Sequence, residues 1–295
     1  MSLRFKLFVL IALASPHFSL AQETGVKKFS LEIGPEYRNE NFRWSIAGNE
    51  QGTNPNILSE LIFNPIKAKG FYSRAGYRFT EAFSVNAHYN RLFTFRGEVT
   101  DFDYDGDNRT DPSTELYLQS RKGHMRSAGA AVNYHFFEQD DLLFTASGGY
   151  DFTRELFYLT NDNDPSLQST YEANWKGPNL SLKALWQPGA FNAGFGLTGR
   201  YLFYNAKANW NLVETFQHPV SFTHAAQGRG FDYRLSIGYR ATSFMNIAVH
   251  GLYSDWKTKT GLDKLYQTDG QVLRARLNGA IKKNTGVRLT TTILF

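Results

Sequence analysis

From about residue 29 onward, apolar and polar residues alternate with a period of two in stretch after stretch. That period places successive side chains on opposite faces of extended backbone, so it predicts strands rather than helices. The last stretch is a clear case: Val287, Leu289, Thr291, Ile293 and Phe295 fall on one face and Arg288, Thr290 and Thr292 on the other. Ten strands are predicted, at roughly 29–41, 55–78, 83–103, 114–136, 141–160, 169–186, 191–213, 229–241, 244–259 and 277–295. Turn signals separate them, among them Asp105-Gly106-Asp107-Asn108, Glu138–Asp140, Asn161–Pro165 and Gln187-Pro188-Gly189. A further loop is expected around His218–Gln227.

The faces follow from the alternation. In strand eight, Phe231, Tyr233, Leu235, Ile237 and Tyr239 oppose Asp232, Arg234, Ser236, Gly238 and Arg240. Strand five sets Leu142, Phe144, Tyr150 and Phe152 against Thr145, Ser147, Asp151, Thr153 and Glu155. In strand seven, Phe191, Phe195, Leu197, Tyr201 and Phe203 oppose Asn192, Thr198 and Arg200. An apolar outside and a polar inside describe a transmembrane β-barrel, where lipid meets one face and a lumen the other. Charges of both signs inside a narrow barrel pair and close it, which disfavours a wide pore.

Composition agrees. Aromatic residues make up 16% of the chain, with 25 Phe and 16 Tyr, yet mean hydropathy is −0.41. Aromatic girdles around a polar lumen account for both. The absence of cysteine excludes disulfides and thiolate chemistry. At the N-terminus Arg4 and Lys6 precede an apolar run, Leu7 to Ala14, then Ser19-Leu20-Ala21. This predicts a secretory signal over 1–21 and a single barrel domain over 22–295. The formal net charge is +5, of which the signal holds two. With no basic cluster, nucleic acid is not an expected partner, whereas outer-membrane lipid is. The expected location is the bacterial outer membrane.

The densest polar run is Asp101-Phe102-Asp103-Tyr104-Asp105-Gly106-Asp107, with Asp111 beyond. Asp101 and Asp103 share a face, and such a pair can share a proton and activate water. The run also opens like a calcium loop through Asp101, Asp103, Asp105 and Asp107, although Pro112 stands at the twelfth position in place of Glu. A solvated loop tip is the third reading. Strict alternation from Phe83, Val85, Ala87 and Tyr89 turns the pair outward, unless a bulge near Arg91–Leu92 or Gly97 reverses it.

In strand count, strand lengths, turn placement and the Asp101-Phe102-Asp103 motif, the chain resembles the omptins, an outer-membrane endoprotease family. The resemblance spans nearly the whole mature chain, from Ser59-Glu60-Leu61 in strand two onward. It implies a ten-stranded all-β, antiparallel barrel with an extended extracellular part and a site at the outer mouth. There Asp101 and Asp103 would hold the attacking water, and His218 would match the family's histidine. Phe216 occupies the place of its acidic partner, with Glu214 two residues back and His224 as a lesser substitute. A non-enzymatic relative using its loops for adhesion or structure is the alternative. The resemblance further implies a polypeptide substrate with basic residues, received by Glu98, Asp151 and Glu155. It also implies lipopolysaccharide as activating lipid, contacted by Tyr150, Arg154 and Lys176, with no other cofactor. His88 and His250 are expected as hydrogen-bonded lumen residues.

Overall fold

The computed structural model describes residues 28–295, so the predicted signal lies outside the described residues. Ten antiparallel strands form a ring. They are β1 (Phe29–Ile46), β2 (Ser59–Arg78), β3 (Phe83–Gly106), β4 in two runs, β4a (Thr110–Gln119) and β4b (Gly123–Gln139), and β5 (Leu142–Asn161). Then come β6 (Asp164–Trp186), β7 (Phe191–Asn209), β8 (Phe222–Arg240), β9 in two runs, β9a (Met245–Thr258) and β9b (Gly261–Tyr266), and β10 (Val272–Leu294). Each strand pairs with the next, and β1 closes the ring on β10 from Ser30↔Leu294 to Ile46↔Leu277. No edge is left in the membrane, where an unpaired backbone group would cost several kcal/mol.

Both ends of the described residues lie with the tight turns at 79–82, 140–141, 187–190 and 241–244, which marks that rim as periplasmic. Its lipid face carries exposed Phe83, Tyr134, Trp186, Phe191 and Tyr239; Leu180, Leu182, Leu235 and Ile237 follow, then Phe93, Phe152, Tyr201 and Phe231. This is an apolar band between two aromatic girdles. The predicted faces of strands five, seven and eight stand as read: Tyr150, Phe152, Phe191, Phe195, Tyr201 and Leu235 are exposed, while Thr145, Ser147, Thr153 and Glu155 are buried inside.

The outer connections differ from expectation. Two are long, at 47–58 and 210–221, but those at 107–109 and 162–163 are short, because the strands themselves run on beyond the bilayer. Residues Phe222–Gln227, expected as loop, begin β8. Their inward residues include His224 and Ala226, which lack the apolar contrast that marks a strand.

Three neighbouring strands change face along one line. In β2–β3 the register runs Phe63↔Val99, Ile66↔Gly97, Lys67↔Arg96 and Ala68↔Thr94, so β2 gains a residue at 64–65 and β3 gains Phe95. β4 breaks between Gln119 and Gly123, and the Ser120 amide donates to the Gly97 carbonyl at 2.9 Å. Gly97 is required here, since a Cβ would lie 2.4 Å from Ile66 Cδ1 and 2.6 Å from the Ser120 carbonyl. Phe95 and Arg96 both face out, after which Gly97, Val99 and Asp101 face in.

Above that line the barrel is filled rather than open. Phe42, Trp44, Phe63, Phe157, Tyr171 and Trp175 are at most 4% exposed and form one apolar cluster across the interior. Beneath it Lys282 lies fully buried between Glu40 (3.4 Å) and Glu155. Lower still is a polar cavity of about 220 Å³. His88 faces Asp151 at 3.9 Å and His250 bonds Thr290 at 2.9 Å, both as lumen residues.

Candidate functional site at the outer mouth

At the outer mouth the wall divides into two lips. One holds β1, β2, β3 and β4a; the other holds β5 through β10. β4a is laddered to β3 from Glu98↔Gln119 to Gly106↔Thr110, yet its link to β5 is the pair Gln119↔Thr160. On the opposite side the β1–β10 ladder ends at Ile46↔Leu277, and Arg276 continues the contact through Ala47 (2.9 Å) and Asn49 (3.0 Å).

The bulge line puts Asp101 on the first lip's inner face, opposite Leu61, with Asp103 two residues on opposite Ser59. Asp101 is 7% exposed, whereas its other cross-strand neighbour, Leu116, is 44% exposed. Burial pushes the Asp101 carboxyl up to about 7, and the Asp103 carboxylate adds to the rise. The Trp210 side chain of the second lip, near enough to act on Asp101, pulls slightly the other way.

The histidines expected to face this pair stand elsewhere. His218 Nδ1 bonds Asn209 Oδ1 at 2.7 Å, and the ring is exposed. Asn209 pairs with Thr170 and follows Lys207 by two. Lys207 reaches Glu172 on the exterior, so Asn209 and the ring it holds belong to the outer side of the wall. Glu214, expected to orient His218, is exposed and makes no hydrogen bond or ion pair among the described residues. His224 is inside and 2% exposed, with Nδ1 bonded to the Tyr171 hydroxyl at 2.8 Å and Nε2 facing Asp263 at 3.1 Å without a formed hydrogen bond. Trp44 stands edge-on to it at 4.7 Å. It is a brace of the plug rather than a free base. Sequence spacing missed Asn209 and Asp263 because each reaches its histidine across a strand pair or loop.

Three further expectations change. The acidic run is extended through Gly106 (φ −111°) and turns only at Asn108 and Arg109, both left-handed. Asp107 accepts from the Asn56 amide at 2.7 Å, and among the described residues no three acidic or histidine side chains gather as metal ligands. Asp101, Asp103 and Asp105 thus lie along extended backbone rather than around a loop, with Asp107 at its end. Glu98, expected in the lumen, faces out beside Arg96 because the bulge precedes it. Asp151 and Glu155 do face inward, but Arg200 and Lys282 already neutralise them below the apolar plug.

On the exterior, Arg91, Arg126 and Arg154 lie directly opposite one another across β3, β4b and β5. Arg154 bonds Glu172 at 2.6 Å, while the Nε atoms of Arg91 and Arg126 are buried without a partner. Lys176 pairs with Phe152, one inward residue below Asn174, and Tyr150 is 39% exposed beside Phe152. Like charges opposite one another on a sheet face are destabilising unless an anion lies between them.

A family model described as Protochlamydia outer membrane protein matches residues 31–295. No curated protein sequence matches the chain. Among solved structures, the outer-membrane protease OmpT from Escherichia coli superposes with a TM-score of 0.72, at 13% identity, over 91% of this chain and 97% of its own. The outer membrane protein OprG from Pseudomonas aeruginosa aligns over 91% of this chain and 96% of its own, at 10% identity and a TM-score of 0.45. At such identities the first likeness establishes a shared barrel fold.

Proposed function

The chain belongs to the family of Protochlamydia outer membrane proteins, and we propose from that premise that it is a non-enzymatic barrel on the omptin fold. In this reading it is a closed surface protein that presents the acidic β3–β4a hairpin outward, in adhesion or as part of the cell envelope. One observation carries it: the group that stands near Asp101 from the second lip is the Trp210 side chain, whereas His218 is tied to Asn209 on the outer side. A water on Asp101 then has no general base opposite it. The mature chain, refolded with lipopolysaccharide, is expected to leave a quenched peptide with paired basic residues uncut. Cleavage that disappears in Asp101→Ala would overturn this.

Endoproteolysis is the second reading, and the observation favouring it is the Asp101–Asp103 pair itself. A carboxyl at about 7 is suited to proton transfer at neutral pH. A polypeptide would enter beside Leu116, and His218 would have to swing around the lip. Loss of cleavage in His218→Ala as well as Asp101→Ala would establish that route.

Under either reading the Arg91–Arg126–Arg154 line serves as a lipopolysaccharide contact, with Tyr150 and Lys176 below it. Phosphate groups supply the anion that three opposed guanidiniums require, and Arg binds them bidentately. Arg126→Ala combined with Arg154→Ala is expected to weaken lipopolysaccharide binding by roughly tenfold or more. Titration of fluorescent lipopolysaccharide onto the refolded barrel measures it, and unchanged affinity would reject the contact.

A further inference from the structure

We propose that the lumen cavity beneath the apolar plug is an anion site, built by Arg74, Lys183 and Arg234 to hold a small multivalent oxyanion of the inorganic phosphate class. The inference is independent of whether the outer mouth cleaves peptides.

The ion pairing in the lumen is uneven. Arg38 and Arg288 share Glu36, at 2.7 and 2.8 Å. Arg200 holds both Asp151 and Asp232, and Lys282 holds both Glu40 and Glu155. The cations left over are Arg74, Lys183 and Arg234, all lining the cavity. Arg74 reaches Glu32 only at 3.8 Å, and Glu32 is shared with His250 at 3.6 Å. Lys183 has one polar partner, the Ser147 hydroxyl at 3.4 Å. Arg234 makes no ion pair or side-chain hydrogen bond among the described residues, and the groups that act on it electrostatically are Arg74, then Tyr72, Glu32 and Arg288. Three cations thus face one distant carboxylate in a region removed from bulk water, an arrangement that costs energy until an anion fills it.

The geometry brings them together. Gly196 pairs with both Lys183 and Arg234, and a Cβ built on it would lie 3.7 Å from Lys183 Cγ and 3.9 Å from Arg234 Nε. The two cations therefore flank one bare stretch of wall. Among the other charges that act on Lys183, Arg74 and Arg234 come first. A volume of about 220 Å³ is many times what one water needs, ample for a tetrahedral oxyanion and its hydration. On the periplasmic side of the cavity the inward positions include Ser84, Gly194, Ser236 and Ala248, all small or polar. The aromatic plug closes the other end.

The test uses the mature barrel refolded in lipopolysaccharide-free zwitterionic detergent and phosphate-free buffer, with thermal unfolding as readout. Sodium phosphate is expected to raise the midpoint by roughly 5 °C at hundredfold excess over its dissociation constant, more than sodium chloride at equal ionic strength. In the Arg126→Gln/Arg154→Gln background, which removes two of the three exterior phosphate-binding guanidiniums, that difference should persist, and it should vanish when Arg234→Gln or Lys183→Met is added. Lys183→Met keeps the test open if Arg234→Gln does not fold. Phosphorus-31 line broadening by the exterior double variant should likewise disappear when either lumen substitution is added. Equal responses to phosphate and chloride would reduce the effect to screening and overturn the proposal. So would a phosphate response kept after both lumen substitutions in that background, or one already lost in the exterior double variant, which would place the anion outside.

Discussion

Lys282→Met is expected to destabilise the barrel by about 3–5 kcal/mol, read as a lowered urea midpoint in refolded samples. The Lys282 ammonium is 0% exposed, as are Glu40 and Glu155 on either side. It also lies 4.4 Å from the centre of the Trp256 ring, and Trp175 Nε1 donates to Glu155 at 3.2 Å. Methionine fills similar space, so packing is largely kept. What remains is two buried carboxylates that repel one another with no cation between them. Neither hydroxyl nor amide donates to the Glu40 oxygens, which leaves Lys282 as their near partner. Adding Glu155→Gln to Lys282→Met should recover part of the loss, because one uncompensated charge is removed. An unchanged midpoint in the single variant would mean that water reaches this layer, and the seal between plug and lumen would have to be abandoned.

The second large effect concerns Asp101 and pH. Its carboxyl rises from 3.8 to about 7 in the fold, chiefly by burial and then by Asp103. A raised acid binds its proton more tightly folded than unfolded, so its contribution to stability is fully present below pH 3.8. That contribution is lost as pH climbs through about 7. Between those limits the outer hairpin should weaken by a few kcal/mol, about 4 at most. Asp101→Asn keeps the shape and an acceptor oxygen near Trp210 but cannot ionise. It should flatten the profile and protect β3–β4a at pH 8 while changing little at pH 4. Hydrogen exchange of the β3 and β4a amides across this range decides the matter. An identical slope in wild type and variant would show that Asp101 is solvated rather than enclosed.

Strand positions were largely legible from alternation, because lipid on one side and a polar lumen on the other impose the strongest period-two contrast a chain can carry. The reading failed where that contrast fades above the bilayer. Phe222–Gln227 and the run 261–266 are strand without a clear alternation, and β6 begins at Asp164 rather than near 169. In each case both faces meet protein or water, so polar and small residues serve equally well on either. The candidate site was half legible. The Asp101–Asp103 pair stood out by spacing, and the phase problem pointed to a bulge near Arg91–Leu92 or near Gly97; β3 gains Phe95, beside the second of these. The histidine side was not legible, since spacing within 214–218 says nothing about which face of β7 the ring is tied to.

By itself, then, the sequence determined the strand number, the lipid and lumen faces, the membrane setting and the closed, charge-paired interior. Those features are set by local alternation against two solvents. Only the tertiary structure decided that Asp101 faces inward, that Trp210 rather than a histidine stands near it, and that Arg74, Lys183 and Arg234 are left with one distant carboxylate, Glu32, among them. Each of these depends on bulges shared between strands and on register around the whole ring, which join residues far apart in the chain.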